Sequence, residues 1–385
     1  MRRFDFLYHR CQLQREKLKA RQGIVVTVVI FSFGTSVYVQ ETRWFPVSYN
    51  SIASYPLKSI VTEEWKSKQT VYLCCHSLGF CGTVGDIEEQ DMQILSGKEV
   101  AQNVYDTLTD EAKHFLENYG YVPTLAVVLV GEDPASQSYV AGKKKACLSL
   151  GFGHKDYHLP SDTSQQQLLD LIHQLNEDSS VHGILVQMPL PEGLNPEEVI
   201  RSIAVEKDVD GFHPQSVGNL LIGNPGLVSC TSKGVMEILD YYHIETAGKH
   251  AVIVGRSNIV GKPMASLLIQ KGRDATVTIC HSRTKDLPSI TSQADILIAA
   301  MGRPHFITSD MVKDGVVVID VGINRIEDAS CKRGYRLVGD VDYEHVAPRC
   351  NAITPVPGGV GVMTIAMLMK NTMQAAKQFA SKEVK

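Results

Sequence analysis

The sequence predicts an α/β protein of two lobes, and three observations carry that prediction. From Met92 onward, short apolar runs alternate with segments of helical period, the pattern of parallel strands joined by helices. The alternation then restarts at His250-Ala-Val-Ile-Val-Gly255, so two sheets are expected. A chain of 385 residues with 44% hydrophobic and 21% charged residues is also long enough for more than one core.

Gly97 to Tyr119 has Val100, Val104, Leu108, Ala112 and Phe115 at spacings of three and four, which predicts an amphipathic helix. Thr124 to Val130 is an apolar run ended by Gly131 and reads as a buried strand. Helices follow at Ala135 to Leu150 and Gln165 to Leu175, and a strand at Val181 to Met188. In the second series the strand at His250 leads into a helix from Pro263 to Lys271, where proline suits the first turn. Strands recur at Ala275 to Cys280, Asp295 to Ala300 and Val316 to Val321, a βαβ run of Rossmann type. The expected division is 92–240 for a substrate and catalytic domain and 241–360 for a dinucleotide-binding domain. A C-terminal helix over 361–380 is expected to return to the first. A ligand cleft belongs between the lobes, where the carboxyl ends of strands face each other.

Met1 to Asp91 has a different composition. It holds Trp44 and Trp65, which are both of the chain's tryptophans, and eleven basic against nine acidic residues; a net charge of +2 here leaves -6 for the rest of the -4 total. The basic residues from Arg2 to Arg21 precede an apolar stretch, Ile24 to Val39, in the order of a signal or anchor. That stretch is short for a membrane span and is interrupted by Thr27, Ser32, Gly34, Thr35 and Ser36. Its β-branched run does not suit a transit peptide, and no helical period, capping box or hairpin turn is visible from Val39 to Gln90. The segment reads as an extension of unknown role outside the α/β body, with a targeting segment or an anchor as the alternatives. Cys74, Cys75, His76 and Cys81 lack paired C-x-x-C spacing and do not read as a zinc site. No metal is expected.

The net charge gives no electrostatic case for nucleic acid or an anionic membrane, so small-molecule partners are expected for residues 92–385. Cys147, Cys230, Cys280, Cys331 and Cys350 are odd in number and scattered, which suits a reducing compartment, the cytoplasm, rather than a disulfide framework.

Gly255-Arg-Ser-Asn-Ile-Val-Gly261 stands after a strand and before a helix, where a dinucleotide fingerprint belongs, although G-x-G-x-x-G is replaced. Backbone N–H groups at the helix start can face phosphates, and Arg256 adds a positive charge. The next strand ends in His281-Ser282-Arg283-Thr284, with no acid before Asp286. An NAD site usually carries a carboxylate there, which would repel a 2′-phosphate; Ser282 can donate to one, and Arg256 or Arg283 can pair with it. NADP is the expected cofactor.

Five ordered segments then resemble one family. They are Gly131-Glu-Asp-Pro-Ala-Ser-Gln-Ser-Tyr139-Val-Ala-Gly-Lys143, Val186-Gln187-Met-Pro189-Leu-Pro191, Lys207-Asp-Val-Asp210-Gly-Phe-His213, Gly255 to Pro263, and Pro355-Val-Pro-Gly-Gly-Val-Gly361. Together they are similar to bifunctional methylenetetrahydrofolate dehydrogenase/methenyltetrahydrofolate cyclohydrolase enzymes, over Met92 to about Ala380. The resemblance implies tetrahydrofolate substrates, NADP, a homodimer, oxidation of the methylene compound and hydrolysis of the methenyl product. It also implies Tyr139 as the pterin platform, Lys143 as acid/base, Gln187 as the group that tunes it, and Asp210 on the pterin amide edge. Gly255, Arg256, Ser257, Ser282 and Ile323 would contact NADP. The chemistry needs Lys143 to have a pKa below the ordinary lysine value, by burial and by repulsion from Lys144 or Lys145.

By residue type alone these positions also admit plainer readings: Tyr139 as helix packing, Lys143 as part of a solvated lysine run, Asp210 as a turn partner of Gly211, Gln187 as a strand-end cap. At the level of the whole chain, a different NADP-dependent dehydrogenase and a nucleotide-binding protein without turnover are the rival readings. Two departures bear on them. The family usually reads P-C-T-P-x-G where this chain has Ser229-Cys-Thr-Ser232-Lys-Gly234, and P-G-G-V-G-P-M-T where it has Val362 for the last proline. Loss of proline is expected to loosen both cleft segments.

Overall fold

In the computed structural model, the described residues are 25–29, 40–44, 59–65, 68–75, 80–86, 92–331 and 334–383. The chain divides into two compact units, Met1–Gln90 and Asp91–Lys385. In the first unit Val25–Val29 pairs antiparallel with Gln40–Trp44, and Ser59–Trp65, Lys68–Cys75 and Phe80–Asp86 form an antiparallel three-stranded sheet. The β-branched run is thus a strand. Trp65 faces Lys68 across a two-residue connection, a hairpin that no Asn-Gly or Asp-Gly pair signals in the sequence. His76 lies outside the described residues, while Cys74, Cys75 and Cys81 stand on the strands Lys68–Cys75 and Phe80–Asp86.

The second unit starts with a two-residue strand, Gln93–Ile94, and then the helix Gly97–Tyr119. Ser96 caps that helix by accepting from Glu99 N, and Gly120 ends it at φ 76°. Its predicted apolar face is the face that is buried. Thr124–Val130 is buried along its whole length because it is the middle strand of a parallel sheet, between Gly153–Leu159 and Gly183–Val186. The helices Pro134–Ser149 and Gln165–Glu177 connect these strands. The edge strand Gly153–Leu159 is polar and half covered, so it lacked an apolar signal.

The second sheet is parallel, in the order Thr276–Cys280, His250–Val254, Ile296–Ala299, Val316–Asp320, Cys350–Ile353, Gln93–Ile94. The chain leaves His250–Val254 to one side for Thr276–Cys280 and returns on the other side for Ile296–Ala299, which opens a crevice at their carboxyl ends. The strand Gln93–Ile94 joins this sheet although the helix after it packs in the first lobe, so the lobes are tied at both chain ends of the unit.

The other tie is the C-terminal helix Val360–Glu383, which packs against Gly97–Tyr119, Cys230–Tyr241 and Pro134–Ser149. Met363, Ala366, Met367, Met369, Met373, Ala376 and Ala380 form its buried side. Asn371 is fully buried there and its amide donates to Val209 O and Val228 O, both at 2.8 Å. Cys147, Cys230, Cys280, Cys331 and Cys350 are unpaired. Among the described residues no helix is long and apolar enough to cross a membrane.

Candidate active site

Lys143 lies on the helix Pro134–Ser149, which Asp133 caps by accepting from Ser136 N at 2.8 Å and which starts on a proline. Gln187 directly follows the strand Gly183–Val186, and its backbone N–H donates to Val128 O, extending the sheet by one bond. Helix and strand end meet here: Lys143 Nζ donates to Gln187 Oε1 at 2.7 Å, and Gln187 Nε2 donates to Met188 O at 2.6 Å. The second bond fixes the amide's orientation, so its oxygen faces the lysine. Lys143 is only 9% exposed.

Burial lowers the Lys143 pKa, against the opposing pull of Asp210 and Cys230. The expected repulsion from a neighbouring lysine is absent from these causes, because Lys144 turns to Asp156 at 2.8 Å instead. Asp210 is raised to about 6, first by burial and further by Asp208, while Lys143 holds it down. Burial thus disfavours the charged form of both groups, which suits Lys143 to carry a proton in its neutral form.

The segment from Lys207 to His213 separates structural from available groups. Lys207 is buried and its Nζ donates to Leu175 O, Asn176 O and Asp178 O at 2.7–3.0 Å, closing the end of the helix Gln165–Glu177. Asp208 accepts from Phe212 N, His213 N and Ser216 Oγ at the start of the helix Pro214–Ile222. Asp210 takes no part in either arrangement. Gly211 has φ +69°, and a Cβ there would stand 2.5 Å from Ser229 N, so only glycine lets this turn rest on the Val228–Ser229 backbone. Tyr139, one helical turn before Lys143, is 52% exposed and presents an open aromatic face.

The dinucleotide residues gather at the other lobe's strand ends. Gly255 follows His250–Val254 at φ +140°, and a Cβ would stand 2.2 Å from Ala300 O, so the loop lies against the neighbouring strand's end as a phosphate turn requires. Ser257 Oγ accepts from Val260 N at 3.1 Å and Gly261 N at 3.4 Å. Arg256 and Ser282 are exposed and make no side-chain hydrogen bond or ion pair among the described residues, leaving them available to an anionic ligand. Ile323 is 46% exposed beyond Val316–Asp320, three strands from the one that Ser282 follows, or about 14 Å at the usual strand spacing. An extended dinucleotide fits across those ends, so these residues suit NADP.

Two aspartates that the sequence reading passed over shape this surface. Asp340 accepts from Met301 N, Gly302 N and Arg303 N at 2.7–2.9 Å and from Asn324 Nδ2 at 2.8 Å. Asp320 accepts from Gly322 N, Asp340 N and Val341 N, and burial together with Asp340 pushes it up to about 7. They hold the loop after Ile296–Ala299 and the loop of Ile323. The cue for them was slight, a lone Gly339-Asp340 pair.

The departures from the proline pattern also have an explanation. Ser232 and Val362 are each the third residue of a helix, Cys230–Tyr241 and Val360–Glu383, and Ser229 stands just before the first of these. The backbone N–H of a first helical turn has no intrahelical acceptor, so proline and non-proline residues are equivalent there in hydrogen bonding. Ser229 and Ser232 are 1% and 0% exposed, and both hydroxyls are hydrogen-bonded, which gives their segment restraints other than proline.

Residues 95–210 match the family model described as tetrahydrofolate dehydrogenase/cyclohydrolase, catalytic domain, and residues 229–380 match the NAD(P)-binding domain of the same family. The chain is 57% identical over 291 residues to Bifunctional protein FolD of Chlorobium phaeobacteroides, covering 74% of this chain and 99% of that protein. Among solved structures it is similar to the FolD methylenetetrahydrofolate dehydrogenase/cyclohydrolase of Campylobacter jejuni, with 49% identity and a TM-score of 0.71 over 74% of this chain and 99% of that one. The Trypanosoma brucei methylenetetrahydrofolate dehydrogenase-cyclohydrolase, solved with NADP and an inhibitor, is 38% identical with a TM-score of 0.71, covering 74% and 98%.

Proposed function

The chain belongs to the tetrahydrofolate dehydrogenase/cyclohydrolase family, and from that premise we propose how its residues divide the two reactions. The enzyme is an NADP-dependent methylenetetrahydrofolate dehydrogenase and methenyltetrahydrofolate cyclohydrolase. It oxidises 5,10-methylenetetrahydrofolate to the methenyl compound and hydrolyses that to 10-formyltetrahydrofolate. NADP, when bound, accepts the hydride that the methylene carbon loses.

In this reading Gly255 and Ser257 hold the diphosphate, Arg256 and Ser282 meet the 2′-phosphate, and Ile323 lines the far end. Tyr139 supports the pterin ring and Asp210 accepts hydrogen bonds from its amide edge. Their contribution to hydride transfer is position. Hydrolysis needs a base at the methenyl carbon. The neutral Lys143 Nζ takes a proton from the attacking water as the carbon–oxygen bond forms, and returns one to the ring nitrogen as the carbon–nitrogen bond breaks. Gln187 Oε1 aims that amine. The observation that carries the assignment is the 2.7 Å bond from a buried lysine to an amide that is itself fixed.

The cytoplasm and a homodimer complete the proposal; the unpaired cysteines suit a reducing compartment, and sedimentation checks the dimer. The experiment for the whole is to supply methylenetetrahydrofolate with NADP or NAD and follow methenyl absorbance. A rise and decay that depends on NADP is expected. A rise without decay would remove the cyclohydrolase role, and no rise would favour a binding protein without turnover.

A further inference from the structure

Ser229 sits just before the helix Cys230–Tyr241, where a serine ordinarily accepts from a backbone N–H of the first turn, yet it makes no such bond. Its Oγ donates instead to Ile259 O at 2.5 Å. One turn on, Ser232 Oγ donates to Val260 O at 3.1 Å. The acceptors are consecutive carbonyls of the Gly255–Gly261 loop, whose next two N–H groups are held from the other side by Ser257 Oγ. The Ile259–Gly261 backbone is thereby gripped on both sides. Ser229 in turn rests on the Asp210–Gly211 turn, because Gly211 leaves no room between itself and Ser229 N. A continuous line runs from the folate turn through Ser229 to the dinucleotide loop.

We propose that Ser229 and Ser232 are positioning residues that tie the dinucleotide loop to the folate-side turn, by hydroxyl bonds where the family usually has proline. The inference rests on the reading that the Gly255–Gly261 loop holds the diphosphate of NADP. A proline at either place stiffens its own segment but has no proton to give to a carbonyl of the dinucleotide loop. The tether sets the loop's position before the cofactor arrives, so its loss appears as weaker NADP binding rather than slower chemistry on bound folate.

The test uses the full chain with Ser229→Ala and Ser232→Ala made singly, so that one poorly folding variant leaves the other, and Ser232→Pro as the family's own residue. Amide hydrogen exchange at Val260, Gly261 and Lys262 is measured without and with NADP, NADP affinity by calorimetry, and methenyl hydrolysis without NADP as the reference reaction. Each alanine variant is expected to exchange faster in that loop and to bind NADP about two- to tenfold more weakly, the range for one hydrogen bond. Hydrolysis by Ser232→Ala should change less than twofold, and Ser232→Pro should leave the loop exchange as fast as alanine does. Lower thermal stability with unchanged loop exchange and NADP affinity would overturn the tether and leave mere packing. If NADP fails to protect this loop in the unaltered chain, the cofactor assignment falls and the inference with it.

Discussion

Lys143→Met separates the two activities if the lysine is the proton carrier. The side chain is 9% exposed and its amine bonds to Gln187 Oε1 at 2.7 Å, so methionine, of similar length, occupies the same buried course. The substitution leaves that amide oxygen without its partner, a cost of about 1–3 kcal/mol, and removes an amine that burial already disfavours as a cation. These effects oppose, and the melting temperature is expected to move little. The proton transfer is lost outright, and removal of a general base lowers a rate by about 10²–10⁴-fold, or about 2.7–5.5 kcal/mol in the barrier. Hydride transfer needs no proton from Lys143, so its rate should fall by less than about tenfold through altered packing near Tyr139.

The assay follows methenyl formation with NADP and methenyl decay with the methenyl compound supplied, for Lys143→Met and Lys144→Met together. Lys144 is paired with Asp156 on the exposed side, so its variant should keep both rates. In the unaltered enzyme, hydrolysis should rise with pH as the amine loses its proton, with the limb below the ordinary lysine value of about 10.4 because burial favours the neutral form. Hydrolysis at the unaltered rate in Lys143→Met, or greater damage in Lys144→Met, would refute the assignment.

Other perturbations test the remaining roles. Ser282→Asp puts a carboxylate where the 2′-phosphate is expected and should weaken NADP binding at least about tenfold more than NAD binding; equal losses would show that Ser282 does not read that group. Asp210→Asn removes the anion that holds the Lys143 pKa up, so the basic limb of hydrolysis should shift to lower pH; in the unaltered enzyme KM for folate should rise as pH falls below about 6, where Asp210 gains a proton. A chain beginning at Met92 should keep both activities. One beginning at Gly97 loses the Gln93–Ile94 strand and the fully buried Leu95, at a cost of about 2–5 kcal/mol, which a thermal melt would reveal.

The elements legible in the sequence are those with one environment along their length. Gly97–Tyr119 buries one face and Thr124–Val130 buries both, so period and apolar run find them at their observed limits. Gly153–Leu159 escapes because an edge strand carrying His154, Lys155 and Asp156 has no apolar side to show. Gln93–Ile94 and Cys350–Ile353 are too short for any period, and their pairing spans more than 250 residues of chain. The same distinction holds at the site. Tyr139 and Lys143 are legible as helix neighbours, but the Lys143–Gln187 bond joins residues 44 apart and came within reach only through the family resemblance. Asp320 and Asp340 act on backbone N–H groups, which no side-chain pattern records.

Ser229 and Ser232 show why the substitution of a motif residue is a poor guide to its consequence. Read along the chain, each change removes a proline and with it a restraint on φ, which predicts a looser segment. In the fold, the restraint is supplied from the neighbouring loop: a helix start offers backbone N–H groups that need no intrahelical acceptor, and the Gly255–Gly261 loop offers carbonyls within reach of a hydroxyl. Proline stiffens from within a segment, whereas serine holds it from outside. The two solutions differ in what they couple, because an internal restraint is indifferent to the Gly255–Gly261 loop and a hydrogen bond to Ile259 O exists only while that loop stays in place. Cofactor affinity in this enzyme should therefore depend on the seating of that loop against the start of the Cys230–Tyr241 helix more than it does where the prolines are kept, and Ser229→Pro with Ser232→Pro in one chain should weaken that dependence.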